Sequence, residues 1–337
     1  MLAILAAVAA VGFVLADGTV AEKGRPAAKV TAAKVTPGPD PRAWPPELVC
    51  PSERSFKADQ IDALGYAPQV IFFGGSRSMR FEPAYMKRQT GLKGFNLSMT
   101  NGRPEDAWVF AHYLHSRSPG TKLRWIWGIQ NSTMSERALD PGLVQDERLN
   151  RFLPLALLAQ AAELLPQTPD KVPKASPDQW RTYSRDGVVL WNNYDKWEKQ
   201  GRTLERSLRI YIKRALEKQQ GEPGSGFEKP SRSRDYFERT LGYLNRLGVK
   251  PILMSMPVHP KVLKALMPGG WQESHDAFLH YIDTLRGRYE FEFIDLSRIS
   301  SFGGDPDEFY DGVHIKAANA RKVIDTLVTT YPEQFAR

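Results

Sequence analysis

Val70-Ile71-Phe72-Phe73-Gly74-Gly75-Ser76-Arg77-Ser78 runs from four consecutive apolar residues into two glycines and a serine. A short apolar run closed by glycine is the pattern of a strand covered on both faces, as in a parallel sheet. Four more runs read the same way: 94–97 (GFNL), 123–129 (LRWIWGI), 249–256 (VKPILMSM) and 291–296 (FEFIDL). Helical patterns lie between them. One over 105–116 follows Gly102-Arg103-Pro104, which puts proline near a first turn. Another over 235–247 carries Phe237, Leu241, Leu244 and Leu247 at helical spacing and stops at Gly248. Patterns over 275–288 and 317–330 complete the set. Strand–helix alternation of this kind predicts a doubly wound α/β sandwich with about five parallel strands.

Between about 132 and 234 the alternation lapses. That stretch shows no convincing strand, helical patterns at 153–165 and 204–216, and a loop-like GEPGSGFEKPSRS at 221–233. It predicts a helical insertion in one α/β domain over 68–337, where a length of 337 residues alone would also allow two domains. The chain is 42% hydrophobic and 25% charged, which excludes wholesale disorder and fibrous repeats. Of the net +8, a surplus of +5 falls between 140 and 250, with 20 basic against 15 acidic residues. There is no helix-turn-helix signal, zinc module or basic-aromatic interleaving, so nucleic acid is not an expected partner. The one cysteine, Cys50, excludes an intrachain disulfide framework and multi-cysteine metal sites. No Gly-x-Gly-x-x-Gly, Walker loop or metal-ligand spacing appears, so neither cofactor nor metal is expected.

Residues 1–16 (MLAILAAVAAVGFVLA) form an uncharged apolar run. It is short against the ~20 residues of a spanning helix and lacks the basic residues that precede a signal core. A start upstream of Met1 would explain both. Residues 17–67 begin as an Ala/Pro/Lys-rich tether, including PGPDPRAWPP, that cannot build a core. Apolar segment, tether and folded body together predict a membrane-anchored or exported protein with its domain outside the cytoplasm.

Ligands of doubly wound sheets sit beyond the carboxyl ends of the strands. The segments found there are Gly74-Gly75-Ser76-Arg77-Ser78, Ser98-Met99-Thr100-Asn101-Gly102, Gln130-Asn131-Ser132 and, near the C-terminus, Asp311-Gly312-Val313-His314. A hydroxyl nucleophile needs a tight turn, a base within reach and an acid that orients the base. Ser76, His314 and Asp311 fit those roles. The amides of Ser76 and Gly102, with the side chain of Asn131 or Gln130, are candidate oxyanion donors. The chemistry this assembles is acyl transfer to water or to another hydroxyl.

These blocks resemble the SGNH/GDSL hydrolase superfamily across about 68–329: VIFFGGSRS with Ser76, FNLSMTNG with Gly102, WGIQNS, and DGVH with Asp311 and His314. The chain departs from that pattern at Gly75, where the family carries an aspartate that braces the turn, and in its third block, which leaves Asn131 and Gln130 as alternatives. The resemblance implies a three-layer, flavodoxin-like α/β/α fold and a serine esterase or O-acyltransferase. The membrane-tethered envelope members, such as those of alginate O-acetylation and teichoic-acid D-alanylation, are the most similar. They share an N-terminal anchor and a proline-rich loop like Met256-Pro257-Val258-His259-Pro260. An acylated polysaccharide or small molecule as substrate and a membrane-bound acyltransferase as partner follow as expectations. The two departures also fit an alternative, a catalytically inactive binding or assembly component.

Other candidates carry blander readings. Ser78 is a fallback nucleophile, or a helix-capping hydroxyl. Arg77 and Arg80 read as an exposed helix face or as contacts to an anionic substrate. His259 reads as a loop residue or a substrate contact, His112 and His115 as structural, and Trp125 and Trp127 as core.

Overall fold

In the computed structural model, which describes residues 53–135, 138–163, 182–221 and 230–336, the five expected strands form one parallel sheet. The elements in chain order are α1 (Glu53–Asp62), β1 (Val70–Gly74), α2 (Pro83–Thr90), β2 (Gly94–Asn96), α3 (Pro104–Arg117) and β3 (Arg124–Ile129). Then follow α4 (Pro141–Gln145), α5 (Glu147–Asn150), α6 (Leu155–Glu163), β4 (Thr182–Tyr183), β5 (Val189–Trp191), α7 (Asn193–Lys199) and α8 (Leu204–Gly221). The chain closes with α9 (Arg232–Arg246), β6 (Ile252–Ser255), α10 (Pro260–Leu266), α11 (Trp271–Thr284), β7 (Glu292–Asp295), α12 (Ala317–Thr330) and α13 (Pro332–Phe335).

The sheet order is β2-β1-β3-β6-β7, with every pair parallel. This is the flavodoxin-like order, and its direction reverses between β1 and β3. Successive side chains of a strand face opposite layers, and β1 divides accordingly. Ile71 and Phe73 join Trp125, Trp127 and Leu253 under α3, α9 and α11. Val70 and Phe72 join Ile126, Ile252 and Met254 under α2 and α12. Both faces of β1, β2, β3 and β6 are buried, which is why those strands read as nearly continuous apolar runs, while the edge strand β7 is half-buried.

Two stretches depart from the sequence reading. Helix α1 lies within the part read as lead-in, yet its Arg54 is buried and paired with Asp106 and Asp140, each at 3.0 Å. The inserted region, expected to be without strands, contains the antiparallel hairpin β4–β5. Strands of two and three residues are too short to show a periodicity, and Gly187, at φ +86°, closes their turn. The hairpin covers the free edge of the sheet: the Asn96 N–H donates to the Asp186 carbonyl at 2.8 Å and the Val189 N–H to Met79 at 3.2 Å. The apolar run at 1–16, Cys50 and most of the loop expected at 221–233 lie outside the described residues. Among the described helices, none is long and apolar enough to cross a membrane.

Candidate active site

The switch point between β1 and β3 brings the first and third sequence blocks side by side. Beyond β1 the chain enters a 3₁₀ turn, Ser76–Ser78. Gly74 precedes it at φ +154°, and a Cβ there would lie 2.3 Å from Ser78 Oγ and 2.9 Å from the Gly128 carbonyl. Only glycine lets the strand end pass so close to its neighbours. Ser78 Oγ is thereby sealed under the turn, with the residue 1% exposed, which removes it as a nucleophile. Ser76 points the other way and is half-buried.

No side chain at Gly75 braces this turn. Asn96, fully buried at the end of β2, supplies the brace: its Nδ2 donates to the carbonyls of Ser78 at 3.0 Å and Phe81 at 2.8 Å. Neither contact is visible in the sequence.

Ser76 Oγ lies 2.8 Å from His314 Nε2, and His314 Nδ1 lies 2.9 and 3.0 Å from the two oxygens of Asp311. Asp311 Oδ1 also accepts the N–H groups of Val313 at 2.9 Å and His314 at 3.0 Å, so one carboxylate shapes the turn and orients the ring. Burial would push the Asp311 carboxyl up. The charge and ring N–H of His314, with the two backbone N–H groups, outweigh burial and hold it below the usual carboxylate range. The turn is fixed from outside by His259, whose N–H donates to the Gly312 carbonyl at 2.9 Å. The His259 ring itself is buried, accepting the Lys261 N–H at 3.1 Å as the cap of α10 and meeting Phe309 edge-on. Burial pushes its pKa down. It serves the loop and does not face substrate.

A cleft of about 90 Å³ opens beside Ser76, lined among others by Gly75, Arg77, Gly102, Arg103 and Gln130. Gly102 is needed for close approach, since a Cβ there would lie 2.2 Å from the Gly74 carbonyl. Its N–H, however, is engaged by the Met99 carbonyl at 3.0 Å, so it is not the unobstructed donor expected. Asn131 is also committed elsewhere: its Nδ2 meets Ser274 Oγ at 3.1 Å and its Oδ1 accepts the Ser132 N–H at 2.7 Å. Of the two third-block candidates, Gln130 is the one that lines the Ser76 cleft. Its Nε2 meets Ser132 Oγ at 2.9 Å, and its Oε1 is buried with no partner among the described residues. Turning the amide over lets Oε1 accept from the Ser132 hydroxyl and makes Nε2 the buried atom without a partner, an exchange that leaves the heavy-atom positions in place. The Ser76 N–H opens the 3₁₀ turn, so no carbonyl within that turn can accept it.

The insertion adds residues that the sequence reading missed. Tyr194, from α7, sets its hydroxyl 3.3 Å from His314 Nε2 and its ring 4.5 Å from the imidazole. The neighbouring Asp195 accepts the Tyr310 hydroxyl at 2.8 Å and pairs with Arg80. Arg80 therefore sits on neither an exposed face nor a substrate path; it anchors the insertion. Trp125 and Trp127 are core, and His112 stacks 3.6 Å from Tyr243, with burial pushing its pKa down to about 4.

Comparison with protein-family models and with curated proteins gives no match. Among solved structures the chain is similar to a Bacteroides fragilis protein provisionally described as an acylhydrolase. The two are 10% identical with a TM-score of 0.37, over 85% of this chain and 98% of that one. At that level the similarity carries no argument about chemistry.

Proposed function

We propose that the chain is a serine esterase or O-acyltransferase. The observation that carries the reading is the continuous chain of contacts from Ser76 Oγ through the His314 ring to Asp311, all within 3.0 Å. Ser76 Oγ attacks the ester carbonyl carbon while its proton passes to His314 Nε2. The resulting oxyanion meets the Ser76 N–H and Gln130 Nε2. As the intermediate collapses, the C–O bond to the alcohol breaks and the departing oxygen takes the proton from His314. Water, or an acceptor hydroxyl, then attacks the acyl-serine, gives its proton to His314, and Ser76 recovers it on release. Asp311 stays ionised throughout and holds the imidazole in the tautomer with Nδ1 protonated.

A binding-only relative of the same fold would need none of these contacts. Hydrolysis of 4-nitrophenyl acetate separates the two readings: wild type turns it over and Ser76→Ala falls to background. Equal rates in the two proteins would refute the assignment. The apolar run at 1–16 and the tether after it support action outside the cytoplasm, on an acyl ester of an envelope polysaccharide or small molecule, with a membrane-bound acyltransferase as donor partner. Fractionation of the full chain and of a chain lacking 1–16 tests the location; equal recovery in the soluble fraction would contradict it.

A further inference from the structure

Ser76 is followed by Arg77, and two clefts meet at that residue. The first is the Ser76 cleft. The second, of about 80 Å³, shares Arg77, Gln130 and Met256 with it and continues to Trp271 and His275. The described lining of both clefts contains two arginines, Arg77 and Arg103, and no aspartate or glutamate. Arg103 is committed to the protein, bonding to the Ser135 carbonyl and to Ser233 Oγ and lying 4.0 Å from Glu105.

Arg77 is different. Buried and half-buried arginines elsewhere in the fold have polar partners: Arg54 pairs with Asp106, Arg80 with Asp195, Arg148 with Asp146 and Arg232 with Glu105, and Arg124 donates to the carbonyls of Lys122, Gln334 and Ala336. Half-buried Arg77 has neither a hydrogen bond nor an ion pair among the described residues. Three residues that line the second cleft, Ser255, His275 and Ser297, bond to the half-buried carboxylate of Asp295, whose charge is spent on them. Asp295 accepts from His275 Nε2 at 2.9 Å, from the Ser297 N–H at 3.0 Å and from the Ser255 hydroxyl. A partly desolvated guanidinium, whose donors suit a planar two-oxygen acceptor, is thus left open at the seam of the two clefts.

We infer that the substrate is an anionic ester, and that Arg77 binds a carboxylate or phosphate carried on its alcohol side while the acyl group lies in the Ser76 cleft. This rests on the esterase or acyltransferase reading above. The small volumes suit a short acyl group, and the second cleft, walled by Trp271 with Val258 and Val262, suits the body that bears the charge.

The test compares 4-acetoxybenzoate, anionic on its alcohol side, with phenyl acetate, in wild type, Arg77→Gln and Arg77→Lys. Wild type should favour the anionic ester in kcat/KM by at least tenfold, chiefly through KM, and the preference should weaken as salt is raised. Arg77→Gln should cut that ratio at least tenfold, with Arg77→Lys recovering part of it. A wild type with no preference, or a ratio unmoved by Arg77→Gln, overturns the inference while leaving the esterase reading intact. If neither ester is turned over, the esterase reading fails by itself. Binding then decides the anion site: an NMR titration with 4-hydroxybenzoate should give a dissociation constant at least tenfold weaker in Arg77→Gln, and equal constants overturn it. Repeating that titration with phenyl phosphate and with phenol separates a phosphate preference from a carboxylate one and from ring binding; phenol binding as tightly as both anions also overturns it.

Discussion

Asp311 illustrates how much one side chain decides. At 8% exposure its charge is opposed by burial and favoured by the His314 ring and two backbone N–H groups, which all donate to it and hold its pKa below the usual carboxylate range. Asp311→Asn keeps the shape but removes the charge and favours the wrong tautomer of His314. It should lower kcat by roughly 10³- to 10⁴-fold, read from ester hydrolysis; a loss under tenfold would show that the ring is oriented by something else. If Gln130 donates to the oxyanion as proposed, Gln130→Ala should lower kcat by about 10²-fold, whereas Asn131→Ala should have a far smaller effect. The reverse ranking would return Asn131 to the oxyanion role. The sequence could not choose between these neighbours. The choice is made by Ser274, 143 positions away in sequence, which holds the Asn131 amide on the far side. Ser76, His314 and Asp311 were legible because their chemistry demands a turn after a strand and a short Asp-x-x-His spacing. The Asn96 brace was not, since nothing in a motif marks a buried amide that caps carbonyls 15 and 18 positions away in sequence.

The hairpin β4–β5 and helix α7 form the element that carries Tyr194 to His314. Asp195 anchors it, bridging Arg80 and Tyr310. Removing that carboxylate leaves Arg80, with a side chain 13% exposed, without its counter-charge. Asp195→Ala should therefore cost about 3 kcal/mol in denaturant unfolding and speed amide exchange across 182–199. Unchanged exchange there would mean that the hairpin is held by its sheet-edge contacts alone. Gly102→Ala, placing a Cβ 2.2 Å from the Gly74 carbonyl, should cost roughly 1–3 kcal/mol and reduce turnover by shifting the Ser76 turn; an unaltered unfolding midpoint would contradict the close approach. The strands of the main sheet were legible because burial on both faces writes itself into composition. The hairpin was not, because its two short strands gain their stability from pairing with a distant sheet edge.

Across the whole fold, Lys57 ties three parts together. Its buried amine donates to the carbonyls of Asn96 at 2.8 Å and Gly187 at 2.6 Å, joining α1, the edge strand and the hairpin turn. Burial pushes its pKa down to about 7, despite the opposing pull of Glu53 and Asp186. The unfolded chain holds that proton up to about 10.5, so between these values it binds one proton more than the folded chain. Stability should accordingly rise with pH through this window, by up to about 1.4 kcal/mol per unit from this group. Lys57→Met should flatten the rise in unfolding free energy between pH 7 and 9; parallel curves for the two proteins would show that Lys57 does not titrate there.

The central claim is that Ser76 is the nucleophile of an acyl-transfer site. Its most direct test is labelling with a fluorophosphonate, followed by intact mass and peptide mapping of the adduct. One phosphonyl group should be found on Ser76, absent in Ser76→Ala and strongly reduced in His314→Ala. Equal labelling of all three proteins, or an adduct on another residue, would contradict it.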